Sequence, residues 1–148
     1  MIWEKGSLII TTEKEKMDVE YIHHFLSTDS YWAENIPVEV VKKSINGSLC
    51  FGIFENEKQI GFARVVTDNA TFGYLADVFI DEMYRRCGLS KWLMETIMNH
   101  PELQGFRTWL LGTKDAHGLY AQFGFKQLDE PDRIMRKSNP DVYKKKPG

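Results

Sequence analysis

The sequence predicts an α/β fold, or α+β by a stricter convention, in which helices pack on one mixed and mostly antiparallel sheet. Three observations predict it. Residues 48–80 contain three extended apolar segments separated by short polar turns, which is typical of an antiparallel meander. An amphipathic helix follows, because Leu89, Trp92 and Leu93 recur at helical spacing. A strand–helix–strand unit after that helix makes the sheet a mixed one.

Four elements are predicted before the meander. They are a strand over Ser7–Thr12, a helix from an Asp18 cap to about Leu26, a loop over Ser27–Ser30, and a helix from Pro37 to about Ile45. Asp18 is a favoured N-cap residue, and Pro37 suits a first helical turn because it lacks only an amide that would be unpaired there.

The meander and the C-terminal part follow in order. The predicted strands are Ser48–Phe54, Gln59–Thr67 and Thr71–Ile80, and the amphipathic helix beginning near Leu89 is stopped by Pro101. After it the pattern predicts a strand over Phe106–Leu111, a helix over Asp115–Phe123, and a final pair of strands near 125–128 and 133–137.

Composition excludes several classes of protein. The chain has 148 residues, which suits one domain over 1–148, and 43% hydrophobic residues argue against disorder. Its apolar runs, such as Trp109–Leu111, are far shorter than the roughly 20 residues of a membrane span, and no secretory leader opens the chain. Cys50 and Cys87 match no metal or redox spacing. We therefore expect a cytoplasmic protein with no membrane partner and no bound metal.

The net charge of −2 gives no general attraction for nucleic acid, so no nucleic-acid partner is expected. The charge is unevenly placed, however. Residues 133–148 carry a net charge of +5, so the rest of the chain sums to −7. This basic C-terminal segment is either a solvated terminus or a segment that binds phosphate.

Residues 77–93 contain the most informative chemistry. A strand ends, a charged loop follows, and Gly88 and Ser90 open a helix at once. A helix N-terminus presents unpaired amides and partial positive charge, and Arg85, Arg86 and Lys91 add formal charge to it. The segment is therefore either an anion site of phosphate or pyrophosphate size, or a solvated loop whose arginines have no ligand.

Arg85-x-x-Gly88-x-Ser90 resembles the pyrophosphate-binding loop of the GCN5-related N-acetyltransferase (GNAT) superfamily, in which Gly or Ala is usual where this chain has Ser90. Leu119-Tyr120-Ala121-Gln122-Phe123-Gly124-Phe125 is similar to the Leu-Tyr-x-x-x-Gly-Phe signature of the same superfamily. The resemblance covers residues 48–128, and Val78–Asp81 resembles the strand that precedes the loop.

The resemblance implies the fold and a cofactor site. The strand that contains Val78–Ile80 is expected to splay from the next strand, Trp109–Leu111, and to bind the pantetheine arm of acetyl-CoA as co-substrate. The residues expected to contact coenzyme A are Val78, Phe79, Ile80, Arg85, Arg86, Cys87, Gly88, Leu89, Ser90 and Lys91.

The resemblance also implies acetyl transfer from the thioester to an amine by direct attack. Tyr120 is expected to protonate the departing thiolate, and a main-chain amide near Phe79 is expected to stabilise the oxyanion. Asp77 or Glu34 would receive the proton of the amine. Each has a plain alternative, since Asp77 can be a charge at the rim of the sheet and Glu34 a solvated charge beside a helix.

Tyr31 and Trp32 either line the acceptor pocket or cap the core. The acceptor itself is a small molecule or a peptide amine. The superfamily often forms homodimers, but no segment of this chain requires one. A protein of another class also fits these patterns, namely a non-catalytic sensor or interaction domain that binds acyl-CoA. Retention of Tyr120 favours the enzyme, because a sensor has no leaving thiolate to protonate.

Overall fold

A computed structural model describes residues 1–144, and these form one six-stranded sheet with helices on both faces. The strands are β1 (Ile2–Lys5), β2 (Leu8–Thr11), β3 (Leu49–Glu55), β4 (Lys58–Thr67), β5 (Phe72–Ile80) and β6 (Thr108–Leu111). The helices are α1 (Val19–His24), α2 (Val38–Asn46), α3 (Leu89–Met98) and α4 (His117–Ala121). The predicted mixed, mostly antiparallel sheet with flanking helices is confirmed.

Strand order in the sheet follows the order in the chain, from β1 to β6. Every neighbouring pair is antiparallel except β5 and β6, which are parallel and joined through α3. The turn between β4 and β5 is ordered by Asp68, whose Oδ1 accepts the amides of Ala70 and Thr71 at 2.9 and 2.8 Å. The hydrogen bonds from Thr71 hold the pKa of the Asp68 carboxyl well below its usual range.

Alternating side chains of the central strands feed two apolar cores, one on each face of the sheet. Phe51 and Val65 pack with α3 on one face, and Phe62 and Phe79 pack with α1 and α2 on the other. This alternation follows from the period of two along a strand. The sheet is therefore covered on both sides, and this packing fixes the positions of β5 and β6.

Helix α1 begins as predicted, because the Asp18 side chain accepts the amide of Tyr21. The predicted loop over Ser27–Ser30 is wrong: the helix continues as a π-helix over Phe25–Asp29, closed by a bond from the Ser30 amide to the Phe25 carbonyl at 2.9 Å. The Ser30 hydroxyl is buried, donates to the Leu26 carbonyl, and accepts the amide of Ala33. This wide turn sets the direction of the chain into Tyr31 and Trp32.

Two sequence predictions at the ends of the chain also differ from the structure. Strand β1 was not predicted, although a two-residue turn at Gly6 pairs it with β2. The predicted strands at 125–128 and 133–137 are absent from the described residues. Pro131 opens a short 3₁₀ turn there, and Ile134 and Met135 are exposed, so apolar burial does not stabilise strands in this segment.

Within residues 1–144, no helix is long and apolar enough to cross a membrane.

Candidate active site

Over the stretch in which β5 pairs with β4, β5 contains one more residue than β4. Phe79 pairs with Phe62 and Ala76 pairs with Arg64, so Asp77 and Val78 together face the single residue Ala63. Asp77 has a φ of 53°, which is the left-handed conformation that takes up the extra residue. The bulge therefore changes the course of β5 halfway along its length.

On its other edge, β5 separates from β6 at the same place. The parallel pairing runs only from Phe72 with Thr108 to Leu75 with Leu111, and β6 ends there. The second half of β5 consequently has a free edge facing a gap, which is the splayed strand pair that the sequence predicted.

The main-chain groups at this gap can be assigned from the pairing on the β4 side. The Asp81 amide donates to the Ile60 carbonyl at 2.8 Å, so Asp81 and Phe79, two residues apart, present their amides to β4. The amides of Val78 and Ile80 face the gap. The Phe79 side chain stacks on Phe25 in the core, with ring centroids 3.8 Å apart. The Phe79 amide expected as an oxyanion donor is therefore directed at β4, and the nearest amides directed at the gap are those of Val78 and Ile80.

A loop after β5 leads into α3 and turns main-chain amides outward. Arg86 and Gly88 both have positive φ, of 65° and 76°, and the first amide bonded within this turn is that of Trp92, to the Gly88 carbonyl at 3.1 Å. Among the described residues, none accepts a hydrogen bond from the amides of residues 86–91. We call this main chain, from Arg86 to Lys91, the amide cradle.

Side chains around the amide cradle add charge and fix the loop. Arg85 Nε donates to the Ile80 carbonyl at 3.1 Å, which ties the loop to the end of β5, while Arg86 and Lys91 are exposed. Cys87 is exposed, and nothing lies within 4 Å of a side chain built at Gly88. The ten-residue helix α3 directs its positive end at this loop, so a diphosphate would meet amides and cations together.

A cavity of about 720 Å³ lies beside the gap. Its lining comes from β5, the residues that follow β6, α4, the 31–36 loop and the C-terminal segment. Val78, Asp77 and Tyr120 line it, as do Tyr31 and Trp32. Glu34 is exposed and is not part of the lining, so the structure does not bring it to this cavity.

Tyr120 is held on α4 with its ring in the core and its hydroxyl toward the cavity. The residue is 8% exposed, and its ring meets Phe125 edge-on with centroids 6.1 Å apart. Burial raises the pKa of Tyr120 to about 12, and Tyr31 and Asp115 act in the same direction. The phenol is therefore protonated throughout the physiological pH range.

Asp77 is engaged by two donors. Arg64 Nε contacts Asp77 Oδ2 at 2.6 Å, and Trp32 Nε1 donates to Asp77 Oδ1 at 2.7 Å. Arg64 also donates to the Ser48 hydroxyl at 3.0 Å. The expected catalytic residue and the expected pocket aromatic are thus joined directly, through a bond between positions 45 residues apart.

Residues of distant segments also line the cavity. Tyr31 accepts the amide of Lys114 at 3.0 Å, and the Lys114 ammonium lies 5.5 Å from the centre of the Tyr31 ring. Arg136 and Tyr143 reach the cavity from the C-terminal segment. We call Tyr31, Trp32, Lys114, Arg136 and Tyr143 the aromatic–basic wall.

Sequence reasoning missed Arg64, Lys114 and Tyr143, and it treated Arg136 only as part of the basic segment 133–148. For Arg64 a signal was present, since a charged residue within the apolar run Phe62-Ala63-Arg64-Val65 needs a buried partner. No comparable local pattern marks Lys114. Among residues 1–144, no group of His, Cys, Asp or Glu could hold a metal ion.

A second cavity, of about 650 Å³, lies between α1 and the loop after β5 and is lined by Tyr21, Phe25, Asp81 and Arg85, among others. Tyr21 points its hydroxyl at Asp81 Oδ2, 3.4 Å away, and burial raises the pKa of the Tyr21 phenol above its ordinary value, with Asp81 adding to the effect. This pair packs α1 against the end of β5.

These features define an acyl-transferase architecture, with a split sheet, an amide cradle and a buried tyrosine at the gap. Comparison with known proteins agrees. The model of the Acetyltransferase (GNAT) family matches residues 19–125, and the chain belongs to this family.

Relatives extend over most of the chain. A protein of Xanthomonas campestris pv. campestris, assigned to the GNAT family as a candidate acetyltransferase, has a crystal structure that is 44% identical, with a TM-score of 0.91, covering 93% of this chain and 97% of that one. A Gibberella zeae protein provisionally named as an acetyltransferase is 29% identical, over 88% of this chain and 85% of its own length. A Clostridium acetobutylicum structure solved with acetyl-CoA shares the fold, with a TM-score of 0.65 and 16% identity over 94% of this chain and 96% of that one.

Proposed function

We propose that this chain is an N-acetyltransferase that uses acetyl-CoA as co-substrate and acetylates an amine by direct attack in a ternary complex. One observation carries the proposal. The second half of β5 has a free edge that includes the Val78 amide, and Tyr120, protonated at neutral pH, lines the cavity beside that edge. The amide cradle follows, separated from β5 by residues 81–85.

The amide cradle is the proposed site for the pyrophosphate of coenzyme A. Its amides have no acceptor among the described residues, and alternating left-handed residues such as Arg86 and Gly88 are typical of anion-binding backbone. Ser90, where the superfamily usually has Gly or Ala, is a half-buried residue with a small side chain. In the gap, the main chain of Val78 and Ile80 is positioned to pair with the pantetheine amides.

Transfer requires that the amine nitrogen bond to the thioester carbonyl carbon, that the carbon–sulfur bond break, and that the sulfur take up a proton. The Val78 amide is the proposed donor to the carbonyl oxygen as it gains charge, and one such donor typically contributes about 3–4 kcal/mol. Tyr120 is the proposed proton donor to sulfur, because it is fully protonated at neutral pH.

We assign Asp77 a positioning role toward the amine. Each of its oxygens accepts one donor from the protein and keeps a further lone pair, so Asp77 can accept a hydrogen bond from the amine and orient it. The ammonium form first loses a proton to water in the open cavity, and the neutral nitrogen then attacks. The proton that this nitrogen gives up as the amide forms also leaves through water. Glu34 has no place in this mechanism because it lies outside the cavity lining.

Two measurements test the proposal. Calorimetric titration with acetyl-CoA is expected to show binding at one site per chain. Release of free thiol from acetyl-CoA, followed with amino acids, polyamines, aminoglycosides and peptides, is expected to rise above the acceptor-free rate for at least one amine. Failure of acetyl-CoA to bind would contradict the proposal, and binding without turnover for any amine would support the acyl-CoA sensor instead.

A further inference from the structure

The cavity has a charge of its own that differs from that of the chain. The chain as a whole carries −2, but the cavity lining contains three cations, Arg64, Lys114 and Arg136, and two carboxylates, Asp77 and Asp115. Arg64 and Asp77 neutralise each other through their 2.6 Å contact. Two cations therefore remain against the exposed Asp115, and the lining is net positive.

Lys114 is held in place without an acidic partner. Its main-chain amide donates to the Tyr31 hydroxyl and its ammonium lies 5.5 Å from the centre of the Tyr31 ring, so two contacts join this residue to Tyr31. No carboxylate of the described residues lies within 4.0 Å of its ammonium nitrogen.

Arg136, which reaches the cavity from the C-terminal segment, also has no acidic partner among residues 1–144. Two basic residues of the C-terminal segment are paired, since Arg133 contacts Glu130 at 2.6 Å and Lys144 contacts Asp141 at 3.4 Å. Arg136 lines the cavity and, like Lys137, forms no ion pair with residues 1–144. A planar guanidinium facing a cavity is well suited to bind a carboxylate or phosphate through two bonds.

A net positive lining has a consequence for the acceptor. A simple amine is a cation at neutral pH, and like charges brought together lower affinity. An acceptor that also carries an acid group enters as a neutral zwitterion or an anion. Such a molecule can direct its amine to the Asp77 oxygens, which accept hydrogen bonds, and its acid group to the cations of the wall.

We propose that the acceptor is an amine that also bears a carboxylate or phosphate group, and that Lys114 and Arg136 bind that group. The inference rests on the proposed acetyl transfer and adds the class of its acceptor. The aromatic side chains of the wall, Tyr31, Trp32 and Tyr143, provide the apolar surface between the two charged ends.

The experiment uses matched pairs of amines that differ in the acid group, namely ethanolamine with O-phosphoethanolamine and tyramine with tyrosine. Thiol release is measured for the wild type and for Arg136→Gln, Lys114→Gln and Lys137→Gln. Lys137→Gln is the matched control, because it removes the same charge from the adjacent residue, which is exposed and outside the cavity lining. Comparing variants on one amine cancels differences in the basicity of the amines.

We expect an acid-bearing amine to be the better substrate. Arg136→Gln and Lys114→Gln should each lower its kcat/KM about tenfold, equivalent to about 1.4 kcal/mol, while KM for acetyl-CoA stays constant. The kcat/KM for the partner that lacks the acid group should not fall, because losing a cation from the wall does not disfavour a cationic amine. Which pair responds distinguishes phosphate from carboxylate.

Three results would overturn the inference while acetyl-CoA binding stands. They are equal or faster acetylation of the partner that lacks the acid group, an effect of Arg136→Gln no larger than that of Lys137→Gln, and no acetylation of either acid-bearing amine. If the wild-type protein does not bind acetyl-CoA, that result contradicts the proposed function together with this inference.

Discussion

The amide cradle and the aromatic–basic wall are built in opposite ways. The cradle is six consecutive residues of main chain, from Arg86 to Lys91, at the start of one helix. The wall joins side chains from the 31–36 loop, the residues after β6 and the C-terminal segment, and its bond between Tyr31 and Lys114 spans 83 positions. A site made of local backbone leaves a motif in the sequence, whereas a site made of distant side chains leaves none.

Tyr120 belongs to neither the amide cradle nor the aromatic–basic wall. Replacing it tests whether the catalytic step can be impaired without loss of acetyl-CoA binding. Tyr120→Phe keeps the ring that packs on Phe125 but removes the hydroxyl. We expect kcat to fall about 100-fold or more, since the thiolate loses its proton donor, with binding of acetyl-CoA unchanged by calorimetry. In the wild type, kcat should show no decline from pH 8 to 10, because the Tyr120 pKa is about 12. Unchanged turnover in the variant would remove Tyr120 from the mechanism.

Gly88→Ala tests the amide cradle alone. Gly88 has a φ of 76°, and an alanine there is strained by about 1–2 kcal/mol even though its Cβ would meet nothing within 4 Å. We expect the turn to relax and the Kd for acetyl-CoA to rise about tenfold in calorimetry.

Gly105→Ala is the matched control for this change. Gly105 has a φ of 78° and the same open surroundings, but it lies outside the cradle. The two variants should lose similar stability in urea unfolding, and Gly105→Ala should bind acetyl-CoA like the wild type. Equal losses of affinity would mean that Gly88 acts only through stability.

Asp77→Asn tests whether the Asp77 carboxylate, which accepts a bond from Trp32 and pairs with Arg64, stabilises the aromatic–basic wall. Asparagine still accepts the Trp32 bond but leaves the Arg64 guanidinium without a counter-charge in a site where its side chain is 19% exposed. We expect a loss of about 1–3 kcal/mol in the free energy of unfolding, together with a higher KM for the amine and an unchanged Kd for acetyl-CoA.

Glu130→Gln is the control for burial in that experiment. Its ion pair with Arg133 has the same 2.6 Å length, but both side chains are more than half exposed. Surface pairs contribute about 0–1 kcal/mol, so urea unfolding of this variant should differ little from the wild type. A similar loss of unfolding free energy in both variants would show that burial does not increase the contribution of the Asp77–Arg64 pair to stability.

The smallest expected effect lies outside both regions, at His100. This side chain is 3% exposed, accepts the Glu102 amide at Nδ1, and has Trp3 and Phe51 as ring neighbours. Burial lowers the pKa of His100 below its ordinary value of 6.5. The unfolded chain therefore takes up the proton first, and stability should decline as pH falls below about 6.5.

His100→Asn keeps an acceptor for the Glu102 amide but cannot titrate. The difference in Tm between pH 7.5 and pH 5.5 should consequently be smaller in this variant than in the wild type, in thermal unfolding at constant ionic strength. An identical pH dependence would exclude His100 as its source.

The contrast between cradle and wall also marks what sequence could predict. The meander, α3 and the cradle were predictable because each depends on local periodicity or on one residue with special backbone freedom, such as Gly88. The common position of Lys114 and Arg136 was not, because only the folded chain brings them to one cavity. The strands expected at 125–128 and 133–137 are absent for a related reason. Ile134 and Met135 fit the pattern of a strand, but in the structure they are exposed and belong to neither apolar core.

The extra residue in β5 serves the opening of the sheet and not its hydrophobic packing. Deleting Asp77 would restore one-to-one pairing with β4, and Val78, Phe79 and Ile80 would keep their present faces, because Phe79 would still lie opposite Phe62. The edge that now opens at Leu111 would be free to continue pairing. A strand shortened in this way should keep its contacts with both cores and lose its gap, which separates the requirements of the site from those of the core.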